Sequence, residues 1–169
     1  MILDDEMVVE RSTVLIPGAA DEGPGVLSVI DENLKEAAVP DLSWSEESVS
    51  TGLFSGMVGR RRDALIVTYA PTAEWKIVIL LYPFGRHLHL CRLLVATPVI
   101  AQDLKRSLRL DLERERRFEV GSLDLFRQLD LAALVSLTRQ AISCALETLK
   151  LDAVEAAESN LDTGEEVPE

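Results

Sequence analysis

The sequence predicts an α+β domain, in which an antiparallel β-meander is flanked by an N-terminal helix and a long C-terminal helix. Two observations favour this class. Residues 63–96 contain three runs rich in β-branched and aromatic residues, separated only by short turn-forming segments. Apolar residues also recur at helical spacing on both sides of these runs, over residues 24–38 and 131–150.

The elements before the meander are one helix and two weaker strands. The run TVLIPG suits an edge strand that ends at Pro17 and Gly18. Pro24 suits the first turn of a helix over residues 24–38, and Pro40 ends it. The stripe of this helix comprises Val26, Val29, Ile30, Leu34 and Ala37. The run LSWSEESVS alternates weakly as a strand does, and TGLFSGMVGRRRD is expected to form a loop or a bulged hairpin.

The meander is the clearest signal in the chain. Its strands are DALIVTY, WKIVILLY and RHLHLCRLLVA, and the separators APTAE and PFG are short enough for hairpins. The middle strand is apolar on both faces, which carry Trp75, Ile77, Ile79 and Leu81 on one side and Lys76, Val78, Leu80 and Tyr82 on the other. We therefore expect the sheet to be covered on both sides, by helices or by another subunit.

The region after the meander begins with a helix and ends with a tail. Thr97 and Pro98 give a sound helix start. Residues 107–126 suit a polar hairpin by alternation, although Leu104, Leu108 and Leu112 also suit a continued helix; we favour the hairpin. Asp130 can cap the final helix over residues 131–150. The predicted organisation is an N-terminal extension (1–21), one domain (22–151) and an acidic flexible tail (152–169).

The net charge of −12 is unevenly distributed along the chain. Residues 1–59 carry 2 basic and 12 acidic side chains, residues 60–117 carry 12 basic and 6 acidic ones, and residues 118–169 carry 3 basic and 11 acidic ones. We expect the acidic flanks to neutralise the basic middle. Because an acidic protein is repelled by phosphate backbones, nucleic acid is not an expected partner.

The sequence predicts a cytoplasmic protein with reduced thiols. Cys91 and Cys144 lie far apart and do not resemble a secreted disulfide framework. The first ten residues are acidic where a secretory signal would be basic. The longest apolar region, residues 77–100, is interrupted by PFGRH and Arg92, so we expect it not to cross a membrane.

The only histidines of the chain lie in GRHLHLCRLL. On a strand, His87, His89 and Cys91 share a face, and successive members lie roughly 6.7 Å apart. A straight strand cannot bring all three to one zinc ion, and no third group is evident that would orient a Cys91–His89 pair for nucleophilic attack. The glycine pattern GLFSGMVGR has no phosphate-binding fingerprint. We expect no metal, no cofactor and no enzymatic activity.

Two arginine clusters remain as candidate contacts for a partner or an anion. GRRRD contains Arg60, Arg61 and Arg62, and RERR contains Arg114, Arg116 and Arg117. Arginine clusters bind phosphates or a partner's carboxylates. The simpler interpretation is that each cluster is a solvated hairpin tip, because aromatic residues, which single-strand binders need, make up only 5% of the chain.

The order helix, meander, short helix, hairpin and long C-terminal helix, together with the acidity, resembles the fold of class I type III secretion chaperones and their YbjN-like relatives. The resemblance covers roughly residues 24–150 and implies a small acidic dimer that binds other proteins without catalytic residues. The predicted function is a non-enzymatic protein-binding, assembly or chaperone-like subunit acting through an apolar sheet or helix face. Its partner is a second copy of the chain or another protein. The alternative is an anion-binding module, for nucleic acid or acidic lipid, that uses the arginine loops.

Overall fold

The structure is a computed structural model, which describes residues 1–3, 7–51, 61–97 and 124–155. These residues form seven strands and two α-helices. In chain order they are β1 (Ile2–Leu3), β2 (Val8–Ile16), α1 (Gly23–Glu36), β3 (Leu42–Thr51), β4 (Arg61–Tyr69), a 3-10 turn (Ala70–Thr72), β5 (Trp75–Phe84), β6 (His87–Ala96), α2 (Leu125–Thr148) and β7 (Val154–Glu155). The α+β class and the antiparallel meander are confirmed.

All seven strands belong to one sheet in the order β1-β3-β4-β5-β6-β2-β7. Strands β3 to β6 follow one another as antiparallel hairpins, with Leu65 opposite Ile79 and Ile79 opposite Arg92. Gly85 has a positive φ of 61° in the two-residue turn between β5 and β6, where such turns require a left-handed residue. β2 then adds antiparallel to β6, and β1 adds parallel to the end of β3.

Both described helices pack on the same face of the sheet, which we call the helix face. Val26, Ile30 and Leu34 of α1 are buried there, as are Leu134 and Ala145 of α2. The sheet contributes the side chains Ile16, Leu65, Val67, Trp75, Ile77, Ile79, Leu88, Leu90, Leu94 and Ala96. Asn33 Nδ2 donates to the Ala141 carbonyl at 3.1 Å and links the two helices. Within the described residues, helices therefore cover only one of the two sheet faces for which cover by helices or by another subunit is expected.

The opposite face of the sheet, the second face, is also buried. Val78 and Val95 are 0% and 1% exposed, and they form a second core cluster with Leu3, Val49, Ala64, Ile66, Cys91 and Leu93. Met1, Met7, Val8 and Leu80 pack against this cluster. No helix within the described ranges lies on this face. The apolar residues on both sides of β5 thus indicate correctly that the first half of this strand is removed from water on both faces.

Helix α2 begins six residues earlier than the sequence predicts. Asp124 is its N-cap, and the Asp124 carboxylate accepts the backbone N–H of Arg127 at 3.0 Å. Asp130 lies inside the helix and is not its cap, so the prediction is wrong on this point. By length and composition α2 could cross a membrane, but its buried side chains pack against α1 and the sheet as those of a core helix do.

Other expectations meet the structure in part. The strand predicted at TVLIPG is β2, which is longer and pairs with β6 along most of its length, so part of the predicted extension 1–21 belongs to the sheet. Val154 and Glu155 of the predicted tail form β7. The helix predicted after Thr97, most of the hairpin 107–126 and the tail beyond residue 155 lie outside the described residues. Leu125 and Phe126, which the hairpin prediction includes, are helical.

Candidate functional site

The strand with the histidines has the predicted alternation. His87, His89 and Cys91 lie on the second face of β6, and Leu88 and Leu90 lie in the core of the helix face. His87 Nδ1 accepts the backbone N–H of Gly18 at 3.3 Å, so this ring ties β6 to the turn after β2. Each member of the row consequently has different surroundings rather than a common site.

His89 belongs to a column of side chains that crosses three strands. Its ring centroid lies 4.7 Å from that of Tyr82, its register partner on β5. The guanidinium carbon of Arg62 on β4 lies 3.4 Å from the centroid of the same Tyr82 ring. Burial, and then the charge of Arg62, lower the pKa of His89. Among the described residues, His89 Nδ1 is a buried nitrogen without a hydrogen-bond partner.

Cys91 is poorly suited to act as a nucleophile. It is 8% exposed and lies opposite Thr13 of β2, with which it shares a side-chain hydrogen bond. Burial raises the pKa of the Cys91 thiol, and this outweighs the opposing effects of Thr13 and the nearby Arg11, Arg62 and Arg92. A thiol with a raised pKa carries little of the reactive thiolate at neutral pH.

No group of three or more histidine, cysteine or carboxylate side chains suited to a metal ion occurs in the described part of the chain. His87 and His89 are engaged with Gly18 and Tyr82 as described, and no carboxylate joins them there. The expectation that the His-x-His-x-Cys strand binds no metal stays a prediction.

The arginines of the predicted contact set are only partly described. Arg60, Arg114, Arg116 and Arg117 lie outside the described residues. The sequence predicts that Arg61 and Arg62 lie in a loop. Instead they start strand β4, opposite Ser50 and Val49 of β3. Arg61 is exposed, whereas the Arg62 guanidinium lies over the Tyr82 ring. The two neighbours therefore point to opposite faces of the sheet and do not form one clamp.

A buried cation that sequence reasoning did not single out lies on the helix face. Arg92 is 3% exposed, and its Nη2 donates to Glu10 on the adjacent strand β2. Arg139 of α2 lies 3.8 Å from the same Glu10 oxygen. Arg92 Nη1 is buried without a partner among the described residues. Because Glu10 and Arg92 are 82 positions apart, no local pattern could have predicted the pair.

Of the five large apolar side chains that are exposed in the described part of the chain, three lie together at the start of α2, whereas Phe84 and Val154 lie elsewhere. Leu125, Phe126 and Leu129 are 65%, 76% and 58% exposed, and we call them the α2 patch. The helix that carries them is anchored by the Asp124 cap and by Arg127, whose Nη1 donates to Glu74 at 3.3 Å. The sequence offered one signal for this site, namely two leucines four positions apart with a phenylalanine between them.

Among the described residues, His87 is bonded to Gly18, the His89 ring lies tilted against Tyr82, and burial raises the pKa of the Cys91 thiol. The start of α2 exposes apolar side chains. No protein-family model, no curated protein and no solved structure matches the chain.

Proposed function

We propose that the chain is a non-enzymatic protein-binding or assembly subunit whose α2 patch contacts the partner. The observation that carries this proposal is the exposure of Leu125, Phe126 and Leu129 at the start of a helix whose other end is buried in the core. Large apolar side chains that stand together at a surface are typical of interaction sites.

The geometry of the patch suits a protein partner. Leu125 and Leu129 are one helical turn apart and therefore neighbours on the surface, and Phe126 adjoins them. An aromatic side chain with leucines around it is a typical centre of a binding surface. Arg127 and Glu74 add a charged rim, because their ion pair is partly exposed on both sides. The resemblance in element order to secretion chaperones implies the same kind of role.

The second face of the sheet offers less support. The sequence suggests it as a binding surface, but its described core side chains, among them Val78, Leu93 and Val95, are at most 8% exposed. Binding through these side chains would first require them to be uncovered. The α2 patch is already exposed and therefore requires no such step.

The anion-binding alternative has less support within the described residues. Arg62 lies over Tyr82, and only Arg61 of the six candidate arginines is both described and exposed. Phosphate binding would weaken steeply with salt, whereas binding through the α2 patch would change little.

The test is the size of the assembly in solution. We expect the purified full-length chain, or its complex with the partner isolated from the native source, to scatter light as more than one chain. Phe126→Asp should reduce that assembly to single chains, since it places a charge in the apolar patch. Gln140→Asp is the matched control, with the same new charge on an exposed position about 21 Å further along α2. A single chain in both preparations, or equal effects of both variants, would contradict the proposal.

A further inference from the structure

In the described part of the chain, the outer edge of β3 is unpaired over most of its length. Within the described residues, β1 pairs with β3 only at Ser50 and Thr51. Met1 extends this pairing, because its amino group donates to the Ser48 carbonyl at 3.0 Å. Residues 42–47 have β4 on one side and no described strand on the other. They offer roughly 20 Å of strand edge.

Main-chain groups that point outward can be assigned from the register. The Ser48 carbonyl and the Ser50 N–H both bond to Met1 on the outer side. In an antiparallel ladder, the residues whose N–H and C=O groups point away from the partner strand alternate. Since the β3–β4 register is continuous, Trp44 and Glu46 also point their N–H and C=O groups outward. Trp44 and Glu46 therefore present two donors and two acceptors in strand geometry at this edge.

The other end of the sheet is better protected. There β2 has a register shift between Val8 and Glu10, and β7 covers Val14 and Leu15. Bulges and short covering strands are common ways of blocking a sheet edge. β3 has no bulge, and Ser43, Ser45, Glu46 and Glu47 are all exposed. These short or extended side chains leave room for another backbone.

The charges along the open edge are negative. Glu46 and Glu47 point to opposite faces of the sheet, so carboxylates flank the edge on both sides. Exposed Asp63 on β4 lies opposite Ser48 and adds a third carboxylate on the face of Glu46. On the same face Trp44 is half-buried, and its Nε1 donates to Asp31 at 2.7 Å. Bonds from Lys35 and Trp44 lower the pKa of Asp31, which keeps it ionised.

We propose that the edge of β3 over residues 42–47 binds an extended, basic segment of a partner protein, which adds to the sheet as an eighth strand beside the seven described. Main-chain bonds to Trp44 and Glu46 hold the segment in register. Lysine or arginine side chains on both of its faces meet Glu46, Asp63 and Glu47. One apolar side chain of the segment packs on Trp44.

A second copy of the chain fits this edge less well than a basic segment does. If two β3 strands paired about a two-fold axis, Glu46 and Glu47 of both copies would be brought close together. Like charges on paired strands are destabilising. Lysine and glutamate side chains on edge strands commonly prevent such self-association.

The probe is a fluorescein-labelled peptide in which pairs of adjacent lysines alternate with pairs of threonines around one central valine, so that both of its faces are basic. It is titrated with the full-length chain. We expect saturable binding by fluorescence anisotropy, and amide chemical-shift changes centred on Trp44 and Glu46. Glu46→Gln and Glu47→Gln should each weaken binding about two- to five-fold at low salt. Glu147→Gln on α2 makes the same charge change at a distant exposed position and should have no effect.

Two further measurements separate strand addition from charge attraction alone. Glu46→Pro removes an outward N–H without removing a bond to β4, and it should weaken binding at least about ten-fold with little change in Tm. Two N-methylated versions of the peptide keep its charge. One is methylated at the alternate residues whose N–H groups face β3 and should lose binding, and the other is methylated at the residues between them and should keep it. Equal binding by the two methylated versions would overturn the proposal, as would no binding of the unmethylated peptide. Self-association that Glu46→Pro abolishes would identify a second copy as the occupant and would also overturn it.

The edge and the α2 patch are tested independently. Phe126→Asp leaves β3 unchanged, and Glu46→Pro leaves α2 unchanged. If Phe126→Asp abolishes assembly but the peptide does not bind, only the edge proposal is refuted. If the peptide binds but Phe126→Asp leaves the assembly intact, only the α2 proposal is refuted.

Discussion

Arg62 and His89 contact the same aromatic ring, that of Tyr82. The Arg62 guanidinium carbon lies 3.4 Å from the centroid of this ring, and the centroid of the His89 ring lies 4.7 Å from it. The three side chains come from β4, β5 and β6, so the column joins these strands on the second face, near the turn between β5 and β6. Because a nearby cation lowers the pKa of a histidine, the pKa of His89 reports whether Arg62 is in place.

We predict that Arg62→Gln raises the pKa of His89. The substitution removes the positive charge that lowers this pKa, while the effect of burial persists. Loss of the contact with Tyr82 should also reduce the free energy of unfolding by about 0.5–1 kcal/mol. The pKa is measured by NMR titration of the His89 ring protons. Arg61→Gln, at the exposed neighbouring position, is the control, and an equal shift in both variants would contradict the prediction.

We predict that His89 makes the fold less stable at mildly acidic pH. The pKa of folded His89 lies below the value of 6.5 of an unperturbed histidine, so the unfolded chain binds the proton first as the pH falls. The contribution of His89 to stability is therefore complete above about pH 6.5 and decreases below it. Urea unfolding at about pH 7.5 and about pH 5 checks this, with His89→Gln as the reference. An identical loss of stability in both proteins would show that other groups account for the whole effect.

We predict unequal effects of the two partners in the Glu10–Arg92 ion pair. Glu10→Gln leaves the buried Arg92 charge without its carboxylate and should lower the free energy of unfolding by about 1–3 kcal/mol. Arg92→Met should cost at most about 1 kcal/mol, because Glu10 is 41% exposed and water can solvate it. Chemical denaturation of both variants and of the double variant measures the difference. A larger loss for Arg92→Met would mean that packing of the arginine stem, rather than its charge, stabilises this region.

We predict that Asp124, and not Asp130, stabilises the start of α2. Asp124→Ala removes the acceptor of the Arg127 N–H and should cost about 1 kcal/mol of the free energy of unfolding. Asp130→Ala, within the helix, should change it by no more than about 0.5 kcal/mol. Thermal unfolding of the two variants provides the comparison. If Asp130→Ala were the more destabilising change, the helix would begin where the sequence pattern places it.

The sequence predicts the local elements well because their signals are local. The alternation in β5 and the short turn at Gly85 are each contained in a few residues. The sequence pattern places the start of α2 at residue 131, because the buried stripe begins at Leu131 and Asp130 precedes it. A pattern of buried residues does not reveal a helix that continues beyond its buried part. The exposed turn at Leu125 and Phe126 lies in that extra length.

The sequence predicts much less about which element packs on which face. An apolar stripe indicates that α1 and α2 are buried, but not that both lie on one side of the sheet. The pair of Glu10 and Arg92 likewise depends on β2 adding to β6, although three other strands and a helix lie between these two strands along the chain. The open edge of β3 depends on the same order of strands, because it exists only where no described strand follows.

The order of the strands also has a consequence for folding kinetics. The hairpins from β3 to β6 join neighbours in the chain, whereas Asn33 and Ala141, which link the helices, are 108 positions apart. Closing such long loops costs chain entropy before any contact compensates it. The meander should therefore form early, with β2 and α2 docking onto it last. Pulse-labelled hydrogen exchange during refolding would show this as early amide protection in β4 to β6, and protection of α2 before β5 would contradict it. In a cell, the helix face of the meander is accessible to other chains until α2 docks, so the protein is most prone to aggregate during this interval.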